Sequence, residues 1–132
     1  MADASYPEDL KYHPEHDWAR IDGDTAVFGI TWYAQDALGE VVFFDAPDVG
    51  TTVTKDESYA EIESVKAVSD VIAPLSGEVL EVNPGLEDSP EAVNEDTYGE
   101  GWLVELQADG GSLQDALSGL LDAEGYRAHV AD

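Results

Sequence analysis

The chain has 132 residues, 43% of them hydrophobic, and its five lysines and arginines against thirty aspartates and glutamates give a net charge of −25 at pH 7. This length predicts a single domain over residues 1–132, and the hydrophobic share supports a packed core, which excludes a disordered chain. No apolar run approaches the roughly 20 residues of a membrane span. The first residues resemble neither a signal nor a transit peptide, so we expect a cytoplasmic protein with no membrane partner.

The acidic residues are spread over the whole length, whereas a solvated tail would concentrate them at one end. An even distribution of acidic residues together with few lysines is typical of proteins that work in molar salt. We therefore expect a halophilic source. A surface this negative repels phosphate backbones, so we expect no nucleic-acid partner. The polar residues 1–10 are expected to be flexible.

The first predicted elements form a hairpin, then a short helix, then two strands. The strands Trp18 to Ile21 and Thr25 to Gly29 flank the turn signal Asp22-Gly23. Thr31 can cap a helix from Trp32 to Leu38, and Gly39 can end it. Strands follow over 40–44 and 51–54, separated by a turn over 47–50.

The segment Ser58 to Ala73 is predicted to form two strands joined by a tight reversal. Ala60 and Ile62 alternate with Tyr59, Glu61 and Glu63, which is the period of a half-buried strand with the second group facing outward. After Lys66 this phase is lost, and a strand cannot slip by one residue without turning its core face outward. We therefore predict a tight reversal at Val65-Lys66, although this is a poor turn dipeptide.

The rest of the chain is predicted as two strands, a loop and two helices. The strands cover 78–83 and 102–107, and the acidic segment 86–97 between them is interpreted as a loop with one helical turn. Ser112 can cap a helix over 113–121, and a second short helix is predicted over 123–129. A faint repeat relates Gly39-Glu40-Val41-Val42 to Gly77-Glu78-Val79-Leu80, which suits two similar β-halves around the hairpin.

Two histidines, His13 and His16, lie beside acidic residues. One short cluster with no distant partner is a poor ligand set, so we predict no metal site.

Lys66 is one of only three lysines in the chain, and the chain has no cysteine. Sulfur redox chemistry would therefore have to come from an attached group. An amine nucleophile requires an apolar or cationic pocket, and Glu61 and Glu63 provide the opposite surroundings. Lys66 is better explained as an attachment point, where an acyl arm of about ten bonds at roughly 1.5 Å each, zigzagged, would reach about 12–14 Å.

The motifs of the chain resemble those of the glycine cleavage system H protein family, in family order from about Tyr12 to Tyr126. The run Glu63-Ser64-Val65-Lys66-Ala67 resembles the family's lipoylation site, and matching segments occur at 29–31, 33–35, 38–39, 73–79, 93–96 and 99–102. The resemblance implies a mainly β, flattened sandwich (a barrel-sandwich hybrid) with short helices, including C-terminal ones. It also implies lipoate bound covalently to Lys66.

By the same resemblance the protein is a shuttle and not a catalyst. Its lipoyl arm would accept an aminomethyl group as the P protein decarboxylates glycine, deliver it to the T protein, and be reoxidised by the L protein. Glu63, Ser64, Val65 and Ala67 would be recognised by the lipoylating enzyme, and His16, two residues before Trp18, would lie near the arm.

Four alternative interpretations exist for a lysine in this position. A biotin carrier surrounds its lysine with methionines, and this chain has only Met1. A lipoyl domain of a 2-oxoacid dehydrogenase usually has Asp-Lys-Ala where this chain has Val65-Lys66-Ala67. An H-like relay that donates its lipoyl group to other carriers is not separated from glycine cleavage by the sequence, and an unmodified interaction module is the remaining alternative.

The charge generates a first prediction: the melting temperature rises with salt. Self-repulsion of 25 net negative charges destabilises the compact state at low ionic strength, and at about 1 M salt the Debye length of roughly 3 Å screens it. Thermal unfolding from 0.05 to 2 M KCl tests this. A melting temperature insensitive to salt would contradict the halophilic interpretation.

Overall fold

A computed structural model describes residues 6–108 and 119–130. Within these ranges nine strands form two antiparallel sheets. The six-stranded sheet has the order β1-β2-β3-β9-β8-β5 and the three-stranded sheet the order β4-β6-β7. The strands are β1 Lys11–His13, β2 Asp17–Asp22, β3 Thr25–Ile30, β4 Val41–Asp45, β5 Thr52–Val53, β6 Ser58–Ser64, β7 Val68–Ile72, β8 Gly77–Val82 and β9 Val104–Ala108.

Four short helices are described: α1 Trp32–Leu38, α2 Gly85–Asp88, α3 Ala92–Glu95 and α4 Ala123–Val130. The prediction for α1 is confirmed: the Thr31 hydroxyl accepts a hydrogen bond from the Ala34 N–H at 3.2 Å, and Gly39 ends the helix at φ 85°. The predicted loop over 86–97 contains two helical turns instead of one. The final helix is confirmed as α4, whereas the helix predicted over 113–121 lies almost entirely outside the described residues.

The predicted fold class is confirmed: the chain is mainly β, with two packed antiparallel sheets and short helices. The inner faces of both sheets share one core, to which Phe28, Ile62 and Leu106 contribute fully buried side chains. A second cluster joins the ends of the described chain and consists of Leu10, Tyr12, Trp18, Ala123 and Tyr126.

Tyr6 and Leu10 belong to the segment predicted to be flexible. The structure describes that segment from Tyr6 onward. The Tyr6 ring meets that of Tyr126 at 5.3 Å, and Leu10 is buried. The part from residue 6 to residue 10 is therefore packed against the second cluster.

The faint repeat has a structural counterpart in two β-bulges. In β4 the residue Val42 is extra between the paired positions Val41 and Phe43, and in β8 Leu80 is extra between Val79 and Glu81. Both bulge residues point outward, with Val42 45% and Leu80 43% exposed. The repeated Gly-Glu-Val segment thus builds the same local structure in both sheets.

A third bulge corrects the prediction for Tyr59. Its alternation with Ala60 placed Tyr59 on the outer face, but Tyr59 is the extra residue between positions Ser58 and Ala60. The bulge changes the phase of the strand, so the ring packs against Phe28 at 5.7 Å. Its hydroxyl is buried and has no hydrogen-bond partner within the described residues.

Candidate functional site

The predicted reversal at Val65-Lys66 is present and depends on Ser64. The Ser64 N–H donates to the Ala67 carbonyl at 2.8 Å, and the Ser64 hydroxyl oxygen accepts from the N–H groups of Lys66 and Ala67 at 3.2 and 3.1 Å. A serine side chain that satisfies the turn in this way explains how a poor turn dipeptide is tolerated. The Val65 N–H donates to the Glu40 carbonyl at 3.0 Å, which ties the hairpin tip to the start of β4.

The Lys66 side chain is exposed and lies over Gly39. A Cβ added to Gly39 would lie 3.4 Å from Lys66 Cε, which is van der Waals contact, so the lysine stem lies directly against Gly39. Gly39 also has φ 85°, which favours glycine. Among the described residues Lys66 makes no ion pair within 4.0 Å, and its amine is therefore available.

Asn94 fixes Gly39 beneath the lysine. Its side-chain NH₂ donates to the Gly39 carbonyl at 2.8 Å and to Gln35 Oε1 at 3.0 Å, and its Oδ1 accepts from the Val41 N–H at 2.8 Å. One amide thus joins α3, the end of α1 and the start of β4. This connection gives the hairpin tip a defined position relative to α1.

A groove of about 320 Å³ runs between α1 and β7. Tyr33, Ala34 and Ala37 of α1 contribute to its lining, and β7 contributes Val68 and Asp70. Leu38 and Ala67 line it too, and these are the chain neighbours of Gly39 and Lys66. Because adjacent residues lie about 3.8 Å apart, the lysine stands at the border of the groove.

His16 also lines the groove, in a constrained conformation. Its backbone has φ 80°, an uncommon value for a residue other than glycine, and its carbonyl accepts from the Thr31 N–H at 3.1 Å. Its Nδ1 lies 2.8 Å from the Tyr126 hydroxyl, and its ring meets that of Tyr33 at 4.5 Å. Burial, and then the nearby His129, lower the pKa of His16, which favours the neutral imidazole at pH 7.

Asp17 is the buried acid of the groove. Its side chain is part of the lining although the residue is only 2% exposed. Burial raises the pKa of Asp17 well above its ordinary value, against the lowering effect of a hydrogen bond from the Ile72 backbone. Because Ile72 belongs to β7, the Asp17 carboxyl lies close to the other sheet. The pKa of the buried Tyr59 hydroxyl is raised mainly by burial and secondly by the charge of the same Asp17 carboxyl.

The structure brings together most of the residues singled out in the sequence. Lys66, Val65 and Ala67 are exposed at the hairpin tip, and Glu63 and Ser64 are half-buried just before it. His16 lies across the groove, whereas His13 pairs with Asp56, with Nε2 to Oδ1 at 2.6 Å. The sequence reasoning missed Gly39 as the lysine's support and missed Asp17, Tyr33 and Asp70 as groove residues.

Together the fold and the site define a carrier domain of the lipoyl type, with two antiparallel sheets that present one lysine at a hairpin tip beside a groove. The family model "Glycine cleavage H-protein" matches residues 10–132. The chain therefore belongs to the glycine cleavage H-protein family.

Three relatives illustrate the match. The chain is 58% identical to the glycine cleavage system H protein of Mycolicibacterium vanbaalenii over 127 residues, covering 96% of this chain and 97% of the relative. It is 50% identical to that of Bacteroides thetaiotaomicron, covering 96% and 98%. The crystal structure of a glycine cleavage system H protein from Mycobacterium marinum superposes with a TM-score of 0.85 at 40% identity, covering 96% and 99% of the two chains.

Membership defines the general role of this chain. It is the lipoyl-carrying shuttle of the glycine cleavage system, a carrier and not itself a catalyst, and the cofactor of its family is covalently bound lipoate. Within residues 6–108 and 119–130, no helix is long and apolar enough to cross a bilayer.

Asp17→Asn is predicted to make the fold more stable than wild type at pH 8, with the difference shrinking toward about pH 4. A carboxyl whose pKa is raised by folding contributes its stability fully below its ordinary pKa and loses it as the pH rises through the native value. The asparagine keeps the shape of the side chain and does not titrate. Urea unfolding from pH 4 to pH 8 measures the difference in free energy of unfolding.

The matched control is Tyr59→Phe, which removes the buried hydroxyl beside Asp17. Because the tyrosine pKa lies above that range, this variant is expected to shift stability equally at every pH from 4 to 8. A difference between D17N and wild type that does not change with pH would refute the assignment of Asp17 as a buried carboxyl with a raised pKa.

Proposed function

We propose that Lys66 carries the lipoyl group and that the groove between α1 and β7 shelters the arm. The observation that carries this proposal is the position of the lysine. It is exposed at a two-residue reversal, has no ion pair among the described residues, and lies over Gly39 at the border of the groove.

The residues present fit a lipoyl arm. The lysine stem lies against Gly39, and the groove offers mainly small or apolar side chains such as Ala34, Ala37 and Val68. When bound, the lipoyl disulfide supplies the acceptor for the aminomethyl group released as glycine is decarboxylated, and dihydrolipoyl reoxidation closes the cycle. The chain's own residues hold, orient and shelter the arm.

The dimensions of groove and arm agree. Helix α1 has seven residues, which at 1.5 Å each is about 10 Å. An arm of about 12–14 Å that starts beside Gly39 can follow α1 to its first turn, where Tyr33 meets His16. Wall residues that exclude water from this path would slow hydrolysis of a labile cargo.

The charges of the groove suit an amine cargo. Glu15 and Asp70 place carboxylates along the lining, and a protonated amine is attracted by carboxylates. His16 is held by Tyr126 and Tyr33 and favours its neutral form, so it adds no competing positive charge. We assign His16 to the wall that contacts the arm.

The proposed partners are the three enzymes that act on the lipoyl arm and the enzyme that attaches it. They are the glycine decarboxylase P protein, the aminomethyltransferase T protein, the dihydrolipoyl dehydrogenase L protein and a lipoylating enzyme that recognises Glu63, Val65 and Ala67. Ser64 would contribute to this recognition indirectly by shaping the turn, because its hydroxyl is hydrogen-bonded to the turn backbone.

A cytoplasmic location and a halophilic source belong to the same proposal. The pyridoxal-phosphate, folate and flavin enzymes of glycine cleavage depend on intracellular cofactors, which supports the first. The net charge of −25 supports the second.

Lys66→Arg is predicted to lose glycine-dependent aminomethyl transfer completely, because a guanidinium cannot form the amide. The matched control is Lys55→Arg, which changes another lysine among the described residues and is expected to retain wild-type activity. Reconstitution with purified P, T and L proteins measures the transfer. Activity of K66R above background would disprove the assignment of Lys66.

The alternative role is a lipoyl relay to other carrier proteins, and the same wild-type preparation distinguishes the two. A shuttle shows glycine-dependent aminomethyl transfer, whereas a relay shows transfer of its lipoyl group to a second carrier domain. Lipoyl donation without aminomethyl transfer would replace glycine cleavage by the relay role for this chain.

A further inference from the structure

We propose that a surface on the outer face of the three-stranded sheet docks the enzyme that attaches lipoate to Lys66. We call this surface the hairpin patch and define it by Val42, Phe43, Val65 and Val68. The inference rests on the proposed function of Lys66 and adds to the hairpin residues a second contact, on β4, that lies outside the lysine-bearing segment.

The hairpin patch is exposed and spans the three strands, with Glu63 between its members Phe43 and Val68. Phe43 pairs with Glu63 and Glu63 pairs with Val68, so the three side chains form one row on the outer face. Phe43 is 50%, Val68 58% and Val65 68% exposed. Two strand spacings separate the ends of the row, about 10 Å, and Lys66 follows Val65 directly.

The β4 bulge is what brings Val42 and Phe43 out together. In a regular strand consecutive side chains face opposite sides, whereas the extra residue at Val42 leaves both exposed. The matching bulge in β8 exposes Leu80, but the next residue there is Glu81. Each sheet thus contains a bulge of this kind. The residue after the bulge is aromatic in the sheet that carries Lys66 and acidic in the other sheet.

A cleft beside Phe43 extends the hairpin patch. Its volume is about 430 Å³, and Phe43, Val82, Pro84 and Leu86 are among the residues that line it. Interfaces concentrate their binding energy where an apolar or aromatic side chain fills such a pocket. The cleft is suited to receive one projecting apolar side chain of the partner.

The border of the hairpin patch is acidic. Asp45 and Glu61 adjoin it in the strands, Glu40 directly precedes β4, and Glu87 borders the cleft. The complementary partner therefore presents an apolar projection flanked by lysines or arginines. In molar salt such steering is weak, so the apolar contacts carry more of the affinity.

The short reach of the Lys66 side chain indicates which partner docks on the hairpin patch. The lysine stem is only about 6 Å long from Cα to Nζ, so an enzyme that acts on Nζ must contact the surface immediately around the hairpin tip. Partners that act on the far end of the finished arm, about 12–14 Å away, need not touch it. The hairpin patch adjoins Lys66 and fits the first kind of partner.

The step at Lys66 is amide formation. With an ATP-dependent lipoate ligase, the deprotonated Nζ attacks the acyl carbon of lipoyl adenylate, the C–O bond to the phosphate breaks, and AMP leaves as the nitrogen releases a proton. No electrons are transferred. The docking surface affects how the ligase binds the carrier and leaves this bond-forming step unchanged.

The test uses apo protein, ATP, lipoate and a purified lipoate ligase that modifies the wild type, with lipoylation followed by intact mass. Phe43→Ser is expected to raise KM and the Kd for the ligase about tenfold, with kcat unchanged. Phe43→Leu is expected to recover most of the affinity. The matched control is Leu80→Ser, which removes the bulge residue of the other sheet and is expected to match the wild type.

The outcomes separate the two proposals. A KM and Kd for F43S equal to those of the wild type, or a defect in kcat alone, would overturn the docking surface and leave Lys66 as the attachment site. An equal defect in L80S would also overturn it, because the effect would then be unspecific. Lipoylation of K66R in the same assay would instead refute the proposed function, and the melting temperature of each variant verifies its fold.

Discussion

The hydrogen bonds of Ser64 close the reversal on which the rest of the site depends. Without them Val65 and Lys66 would occupy a turn for which their residue types are poorly suited. The Val65 N–H then fixes the tip to Glu40, and Asn94 joins the start of β4 to the end of α1. This chain of contacts places a flexible lysine stem on a rigid support, as a carrier that must present its arm reproducibly requires.

The groove combines two opposed requirements. In the proposed role it must attract an amine cargo, which favours carboxylates, and it must exclude water, which disfavours them. The structure divides these tasks: Asp70 is exposed at the β7 wall, while Asp17 is buried and its proton is held more tightly because of that burial. Asp17 is also buried close to the Ile72 backbone of the other sheet, so a residue of the site takes part in the packing of the fold.

Local rules predicted much of this structure from the sequence. Thr31 and Gly39 delimit α1 at the predicted residues, and the loss of alternation after Lys66 located the reversal. Tyr59 was placed wrongly because a bulge changes the phase of a strand, and the pairing register that creates the bulge depends on β7. The groove could not be predicted because it forms between α1 and β7, which lie far apart in the chain. Asp17 gave only a weak signal, as an acid at the start of a strand.

We propose Lys66 as the covalent carrier position. The most direct measurement is the intact mass of the protein purified from its own host, followed by peptide mapping of the segment that contains Lys66. We expect an increment of one lipoyl group, confined to that lysine. An unmodified Lys66 in cells that lipoylate other proteins, or an increment on Lys11 or Lys55, would contradict it, and the hairpin would then have to be explained as a binding surface alone.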